Sequence, residues 1–350
     1  METRPTDIAQ EPVYPERWEK SALGFFAVVL VFYALFGSVA QAGDPTLGLA
    51  WTELFVFLLP ALAAAAGSNL SPRAFLLLRR RPSPRQLAVS VGMGGALFLA
   101  ASGVMTLTTL AVPHSWVETF DLTHLFLGSG RQPAMMALLA TLLAPLAEEV
   151  AFRGYAQSAL RTWARPWLAV AASAFLFATM HLDPVRFPAV LLLGVAFGWM
   201  AFRSGSLWPS VAAHAVNNGL GSALALLGGA EPSADGDALG ALGILAVGLA
   251  ALAPLAVLYW RLTPAPPPAE DALVLLDPGD RSVRFRLGKV PKRLLWLAVA
   301  GLVLLLGMVA LRGAPPGDGA PERHLGAGEL RRPRPACLPP PVSRPPRDHS

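Results

Sequence analysis

Long apolar segments recur along the whole chain and constrain its fold more than any other feature. A helix of about 20 residues is needed to cross a hydrocarbon core about 30 Å thick. Inside lipid each segment must be helical, because no water is present to bond an exposed backbone. The segments cover residues 22–42, 46–67, 87–112, 133–160, 166–182, 187–202, 207–229 and 238–260, with a ninth at 294–312. The sequence therefore predicts an all-α polytopic membrane protein: a bundle of eight core transmembrane helices with an additional ninth.

The composition supports this class and excludes several others. The 350 residues are 54% hydrophobic and only 15% charged, whereas soluble domains carry about 25% charged residues. A cytosolic enzyme, a disordered scaffold and a free nucleic-acid binder are therefore excluded. The net charge of +5 comes from arginines in the loops between apolar segments, a bias that sets membrane orientation rather than nucleic-acid binding. The single cysteine, Cys337, can form neither an intramolecular disulfide nor a cysteine-based metal site.

The distribution of arginine predicts the orientation of the bundle. The loop after the second segment is the most basic in the chain and should be cytoplasmic. The N-terminus is then also cytoplasmic, while the acidic loop around Glu231 and Asp237 lies outside. A composition rich in Ala, Arg and Pro indicates a bacterial source, and hence the inner membrane. The basic loop contains Arg73, Arg79, Arg80, Arg81 and Arg85.

Accessory regions flank the eight-span core of residues 22–260. Residues 1–21 form a cytoplasmic N-terminal segment, and residues 261–293 combine a Pro-rich stretch with a predicted small cytoplasmic β-hairpin around the turn Asp277–Asp280. Residues 313–350 are rich in Pro and Arg and are predicted to be disordered. Nine spans would place this basic tail outside, so either the ninth segment does not span or the tail breaks the positive-inside rule.

Ionisable side chains inside the apolar segments are the candidates for function, because each costs at least a few kcal/mol in hydrocarbon. Glu148, Glu149 and Arg153 lie late in the fourth segment. Glu149 and Arg153 are four residues apart and can pair on one helix face. Glu148 lies about 100° around the helix, so the same cation does not automatically neutralise it.

Further polar residues lie in three other segments. His181 ends the fifth segment, and His214 and Asn218 share one face of the seventh. Glu53 is alone in the second segment and is interpreted as a helix contact or a cavity-lining residue. Each residue taken singly has a structural interpretation, such as a solvated Glu pair or a histidine that hydrogen-bonds between helices. Outside the second segment, the candidates together supply a free carboxylate, two imidazoles and a carboxamide, which suit hydrolysis by an activated water.

Three motifs appear in order between about Pro133 and Leu220: Glu-Glu-x-x-Phe-Arg, Phe-x-x-x-His and His-x-x-x-Asn. This pattern resembles the CAAX-protease and bacteriocin-processing family, also called the Abi family, whose members are intramembrane endopeptidases. The resemblance implies that Glu148 activates the attacking water and that His181 assists it.

The resemblance also implies roles for the remaining motif residues. His214 and Asn218 would stabilise the oxyanion of the tetrahedral intermediate, while Glu149 and Arg153 would support the helix end. An Asn and a His on one helix face are suitable donors toward a developing negative oxygen. The carboxylate that lacks an obvious cation, Glu148, is the better candidate for the base.

The resemblance leaves the role of a metal open, since members of the family are described both as metalloproteases and as glutamate-dependent enzymes. Glu148, His181 and His214 could form a three-ligand zinc site with an open position. No His-Glu-x-x-His helix is present, and the metal-free interpretation is favoured.

The predicted function is hydrolysis of a peptide bond in a membrane-associated protein or peptide, near the cytoplasmic face of the bilayer. The alternative is a non-catalytic multi-span membrane protein on the same scaffold, such as an immunity factor, an adaptor or a transporter.

Overall fold

A computed structural model describes residues 18–67, 72–121, 125–126, 131–161, 164–228 and 237–263 of the chain. Beyond Thr263 it describes only residues 292, 293, 296 and 303. The predicted β-hairpin, the ninth segment and the tail therefore lie outside the described residues, as does most of the N-terminal segment. Within the described ranges every regular element is a helix, and these ranges contain no strand.

Eight helices correspond to the eight predicted core segments, and two short helices, Pro72–Phe75 and His114–Thr119, lie in connections. Helix α1 begins at Trp18, and its long apolar part ends at Gly43. The others are α2 (Pro45–Gly67), α3 (Pro84–Ala111), α4 (Gln132–Leu160), α5 (Pro166–Met180), α6 (Phe187–Ser204), α7 (Trp208–Leu226) and α8 (Ala238–Leu262).

Six helices of the described part are long and apolar enough to cross a membrane: α1, α2, α3, α4, α6 and α8. For the described residues, the prediction of an all-helical chain with several apolar helices of membrane-spanning length is confirmed, whereas the predicted eight core spans are matched only in part. Helix α5 has 15 residues and a length of about 22 Å, which is shorter than the hydrocarbon core. Helix α7 carries His214, Asn217 and Asn218, which lower its apolar character.

Local sequence signals set the helix ends. Asp44 accepts hydrogen bonds from the backbone N–H groups of Thr46 and Leu47 at the start of α2. Ser83 and Gln86 form a reciprocal capping box at the start of α3, which satisfies donors that the first turn leaves free. Helix α6 ends at Gly205 with φ of 61°, a left-handed conformation that glycine adopts without steric cost.

One end of the bundle brings three chain segments together. The Ser206 hydroxyl donates to the carbonyl of Arg80, 2.7 Å away, which joins the α6–α7 turn to the α2–α3 loop. Arg203 donates to the carbonyl of Thr263 at 3.1 Å, which brings the end of α8 to the end of α6. The start of α3 lies here too, since Gln86 donates to the carbonyl of Leu262. Four of the eight helices separate the α2–α3 loop from the α6–α7 turn, and two separate that turn from the end of α8. Because both numbers are even, these three points can lie at the same end of the bundle.

Four turns of these helices are π-helical: Tyr33–Gly37 in α1, Thr52–Leu58 in α2, and Leu139–Leu143 and Val150–Ala156 in α4. Such turns are rare and occur frequently at functional sites. The turn in α2 packs against the turn in α1 and against the second turn in α4. The widened turns of α1, α2 and α4 therefore meet in one region, where α4 presents its charged residues.

Candidate active site

A buried ion pair forms the base of the site on α4. The Nη1 atom of Arg153 lies 2.9 Å from Oε1 of Glu149, and both side chains have no exposed surface. Arg153 also donates from Nη2 to the carbonyl of Gly194 on α6, at 3.2 Å. Its guanidinium lies 4.2 Å from the centre of the Phe177 ring on α5. One arginine therefore connects α4 to the α5–α6 hairpin and neutralises one of the two adjacent glutamates.

His214 on α7 lies between the two glutamates. Its Nδ1 atom is 3.1 Å from Oε1 of Glu149, and its Nε2 atom is 3.5 Å from Oε2 of Glu148. The Phe197 ring stacks on the imidazole with the ring centres 4.7 Å apart. A carboxylate accepts hydrogen bonds and donates none, so Nδ1 of His214 carries the proton of its bond to Glu149. The other ring nitrogen then faces Glu148, and the ring orientation is set by Glu149.

The two glutamates differ in access to the surface. Glu148 retains 12% of its side-chain exposure, whereas Glu149 has none. Glu149 is bound by both Arg153 and His214. Glu148 is therefore the carboxylate that a water molecule and a substrate can reach.

His181 follows the last residue of α5 and is half-buried. Its Nδ1 atom lies 3.0 Å from the carbonyl of Phe177, one turn earlier. A carbonyl can only accept, so Nδ1 carries the proton and Nε2 holds a lone pair. The Phe177 ring contacts both imidazoles, with its centre 4.9 Å from that of His181 and 5.8 Å from that of His214. The structure thus brings His214, rather than His181, directly against Glu148.

The backbone after His181 is strained, because Leu182 has φ of 50°, a left-handed conformation that costs a residue with a Cβ atom roughly 1 kcal/mol or more. The turn continues into α6, where the Asp183 carboxylate accepts from the N–H groups of Val185 and Arg186. Strained residues of this kind cluster at functional sites, and this one directly follows His181.

We expect Leu182→Gly to raise the melting temperature by about 2 °C, since glycine relieves roughly 1 kcal/mol of strain in a chain of this size. Leu182→Val should lower the melting temperature, because a β-branched residue tolerates positive φ least. Thermal unfolding of the purified protein in detergent compares the two. Equal destabilisation by both substitutions would contradict the strained turn.

Asn218 connects α7 to the first π-helical turn of α4. Its Nδ2 atom donates to the carbonyl of Ala140 at 3.0 Å, and its Oδ1 atom accepts from Nδ2 of Asn217 at 3.1 Å. A carboxamide has two N–H groups, so a second donor is present on Nδ2 of Asn218. The Oδ1 atom of Asn217 is buried without a hydrogen-bond partner among the described residues. Sequence reasoning gave Asn217 no role, although it adjoins Asn218.

Glu53 is a further carboxyl group beside this site, which sequence reasoning interpreted as a helix contact or a cavity-lining residue. It lies in the π-helical turn of α2 and is 3% exposed. The turn that carries Glu53 packs against Ala144–Glu149, the segment of α4 that holds Glu148. The signal available from the sequence was the presence of one charge in an apolar span, which by itself does not identify a partner.

The residues of the zinc alternative do not fit a three-ligand site. His214 is engaged on both ring nitrogens by glutamates, and Nδ1 of His181 faces a backbone carbonyl. In the part of the chain that the structure describes, no three His, Cys, Asp or Glu side chains converge where an ion could be held. We therefore derive no catalytic step through a metal.

The region that holds most of these residues matches a known protein family. A family model described as Type II CAAX prenyl endopeptidase Rce1-like matches residues 130–220. Over these residues the chain is similar to the Rce1-like CAAX protease family. The resemblance inferred from the three motifs is confirmed. Searches of curated proteins and of solved structures gave no match.

The Rce1-like region, residues 130–220, runs from the start of α4 nearly to the end of α7. It contains the ion pair, Glu148, both histidines and Asn218. Glu53 on α2 lies outside it, so any role of Glu53 must be argued from packing alone.

Proposed function

We propose that this protein is an intramembrane endopeptidase of the glutamate type. It hydrolyses a peptide bond of a membrane-associated protein or peptide, with a water molecule activated by Glu148. The observation that carries the proposal is His214, which lies 3.1 Å from the fully buried Glu149 and 3.5 Å from the accessible Glu148. A base and a hydrogen-bond donor are thereby held side by side, within reach of one substrate carbonyl.

In the proposed reaction Glu148 accepts a proton from water, and the resulting hydroxide attacks the carbonyl carbon. As an imidazolium, His214 donates from Nδ1 to Glu149 and from Nε2 to the oxyanion. The second N–H group of Asn218 is the other donor to that oxygen. When the intermediate collapses, the carbon–nitrogen bond breaks and Glu148 returns its proton to the leaving amine. His181 offers a lone pair on Nε2 and assists in holding the water.

The oxyanion role of Asn218 makes a specific prediction. Asn218→Ala should lower kcat by about a hundred- to a thousand-fold, the usual effect of removing one oxyanion donor. The matched control is Asn217→Ala, which removes a neighbouring carboxamide that donates to Asn218 and should cause a smaller loss. Steady-state kinetics on a cleaved peptide measure both. Equal effects of the two substitutions on kcat would count against an oxyanion donor at Asn218.

The proposed location is the inner membrane of a bacterium, with the N-terminus in the cytoplasm. The arginines of the α2–α3 loop, Arg79, Arg80 and Arg81, are exposed, as a cytoplasmic loop requires. The matched family is named for CAAX prenyl endopeptidases. For this chain we propose the broader substrate class of membrane-associated proteins and peptides.

Substrate trapping tests the function. Wild-type protein and Glu148→Ala are purified from membranes, and the peptides that co-purify with each are identified by mass spectrometry. We expect the variant to retain intact substrates and the wild type to convert them to two fragments. Retention of the same intact peptides by both proteins would favour the non-catalytic alternative. Cleavage that is lost with a chelator and restored with zinc would overturn the glutamate mechanism.

A further inference from the structure

Glu53 on α2 is a buried carboxyl group that the proposed mechanism does not use. The side chain is 3% exposed, and its Oε2 atom has no hydrogen-bond partner among the described residues. A buried polar atom without a partner has a cost of about 1–3 kcal/mol. Such a residue in a membrane span indicates a function by default.

The position of Glu53 relates it to the site on α4. The π-helical turn Thr52–Leu58 packs against Ala144–Glu149, the segment of α4 that carries Glu148. Glu53 and Glu148 therefore lie on two helix segments that pack against each other. The cation of this region, Arg153, is already engaged by Glu149.

The surroundings of Glu53 are polar in an otherwise apolar region. Gln41 donates to the hydroxyl of Thr52 at 3.1 Å. These groups place neutral donors and acceptors on the α1–α2 side of the site. Thr52 lies in the π-helical turn that packs against α4, and Tyr33 lies in the turn of α1 that packs against this turn.

Two carboxyl groups on helix segments that pack against each other do not both carry a negative charge at low cost. Glu148 retains some exposed surface, whereas Glu53 is enclosed. Burial penalises the charged form of a carboxyl group, so the enclosed Glu53 is the one that keeps a proton.

We propose that Glu53 is a positioning residue of the catalytic centre, a neutral carboxyl group that faces Glu148 from α2 and holds it in place for the attacking water. This inference rests on the proposed endopeptidase function. Glu53 keeps its proton through the cycle: the proton taken from water goes to Glu148 and then to the leaving amine, so the balance of the reaction is unchanged.

The test compares two substitutions with a matched control. Glu53→Gln retains a neutral group that donates a hydrogen bond and should keep kcat within a few-fold of wild type. Glu53→Met removes that donor and should lower kcat at least tenfold, with KM and the melting temperature little changed. Gln157→Met is the control, because Gln157 is a fully buried polar residue on α4 that donates to Gly198; we expect it to lower the melting temperature and leave kcat unchanged.

A measurement without substrate separates this inference from the proposed function. Glu53→Met, Glu148→Met and the double variant form a cycle of thermal unfolding measurements in detergent. We expect the effect of the double substitution on the free energy of unfolding to differ from the sum of the two single effects. The reason is that either single substitution already leaves the other carboxyl group without its partner. Additive effects would overturn the inference even if the protein is a protease. If the two carboxyl groups are coupled but the protein cleaves no peptide, the proposed function is overturned, and the positioning role of Glu53 with it. A loss of kcat in Glu53→Gln as large as in Glu53→Met would also contradict the neutral donor.

Discussion

Glu148→Gln abolishes peptide-bond cleavage while the protein stays folded: we expect kcat to fall by about a thousand-fold or more, near the upper part of the range for a general base. The amide has nearly the shape of the carboxyl group but cannot accept the proton of water. Glu148 is the more accessible of the two adjacent glutamates, so its replacement leaves the buried ion pair of Glu149 and Arg153 intact.

The matched control is Glu118→Gln, which removes a carboxylate from the short helix His114–Thr119, where the Glu118 side chain is highly exposed. Cleavage rates are measured with peptides identified by substrate trapping, and folding is measured by thermal unfolding and gel filtration. Wild-type turnover in Glu148→Gln would refute the mechanism. Loss of turnover in Glu118→Gln would show that turnover responds to the loss of any carboxylate and not specifically to the loss of Glu148.

Arg153→Met should have the largest effect on stability. Removing one partner of a fully buried ion pair costs about 3–5 kcal/mol, because the remaining charge is left without compensation. Here the remaining charge is Glu149, and the substitution also removes the hydrogen bond to Gly194 and the contact with the Phe177 ring. We expect the melting temperature to fall by on the order of 10 °C, together with a loss of activity.

The double variant Glu149→Gln with Arg153→Met is the control for this effect. It removes both charges and should regain much of the stability, since the desolvation cost of an uncompensated carboxylate is gone. Arg153→Lys should not restore wild-type stability, because lysine lacks the planar group that stacks on Phe177. Normal melting of Arg153→Met without activity would instead place Arg153 in contact with the substrate.

Local patterns predicted the helices well. The segments 187–202 and 238–260 correspond to Phe187–Ser204 and Ala238–Leu262, and the ends follow capping residues and proline. The contact between Glu149 and Arg153 also agrees with the sequence, since residues four apart meet on one helix face. Such relations depend only on the geometry of one helix.

The number of membrane-crossing helices was less predictable. A count of apolar runs treats α5 and α7 as ordinary spans, but α5 has 15 residues and α7 carries three polar side chains. Both helices bring site residues into the bundle. Helix α5 is apolar but short, whereas α7 has sufficient length and carries polar side chains.

By itself, the sequence determined the membrane class, the helices and the set of chemical groups, because these follow from composition and from periodicity within one segment. Tertiary structure alone decided which groups meet. The contact of His214 with Glu149 joins residues 65 positions apart, and the packing of the Glu53 turn against the Glu148 segment joins parts of the chain about 95 positions apart. The relative rotation of these helices is set by packing. Small residues permit that packing: a Cβ atom at Gly94 of α3 would lie 2.5 Å from the carbonyl oxygen of Ala213, next to His214. No spacing rule within a helix contains that information, so the partner of a buried charge was visible only once the helices were packed.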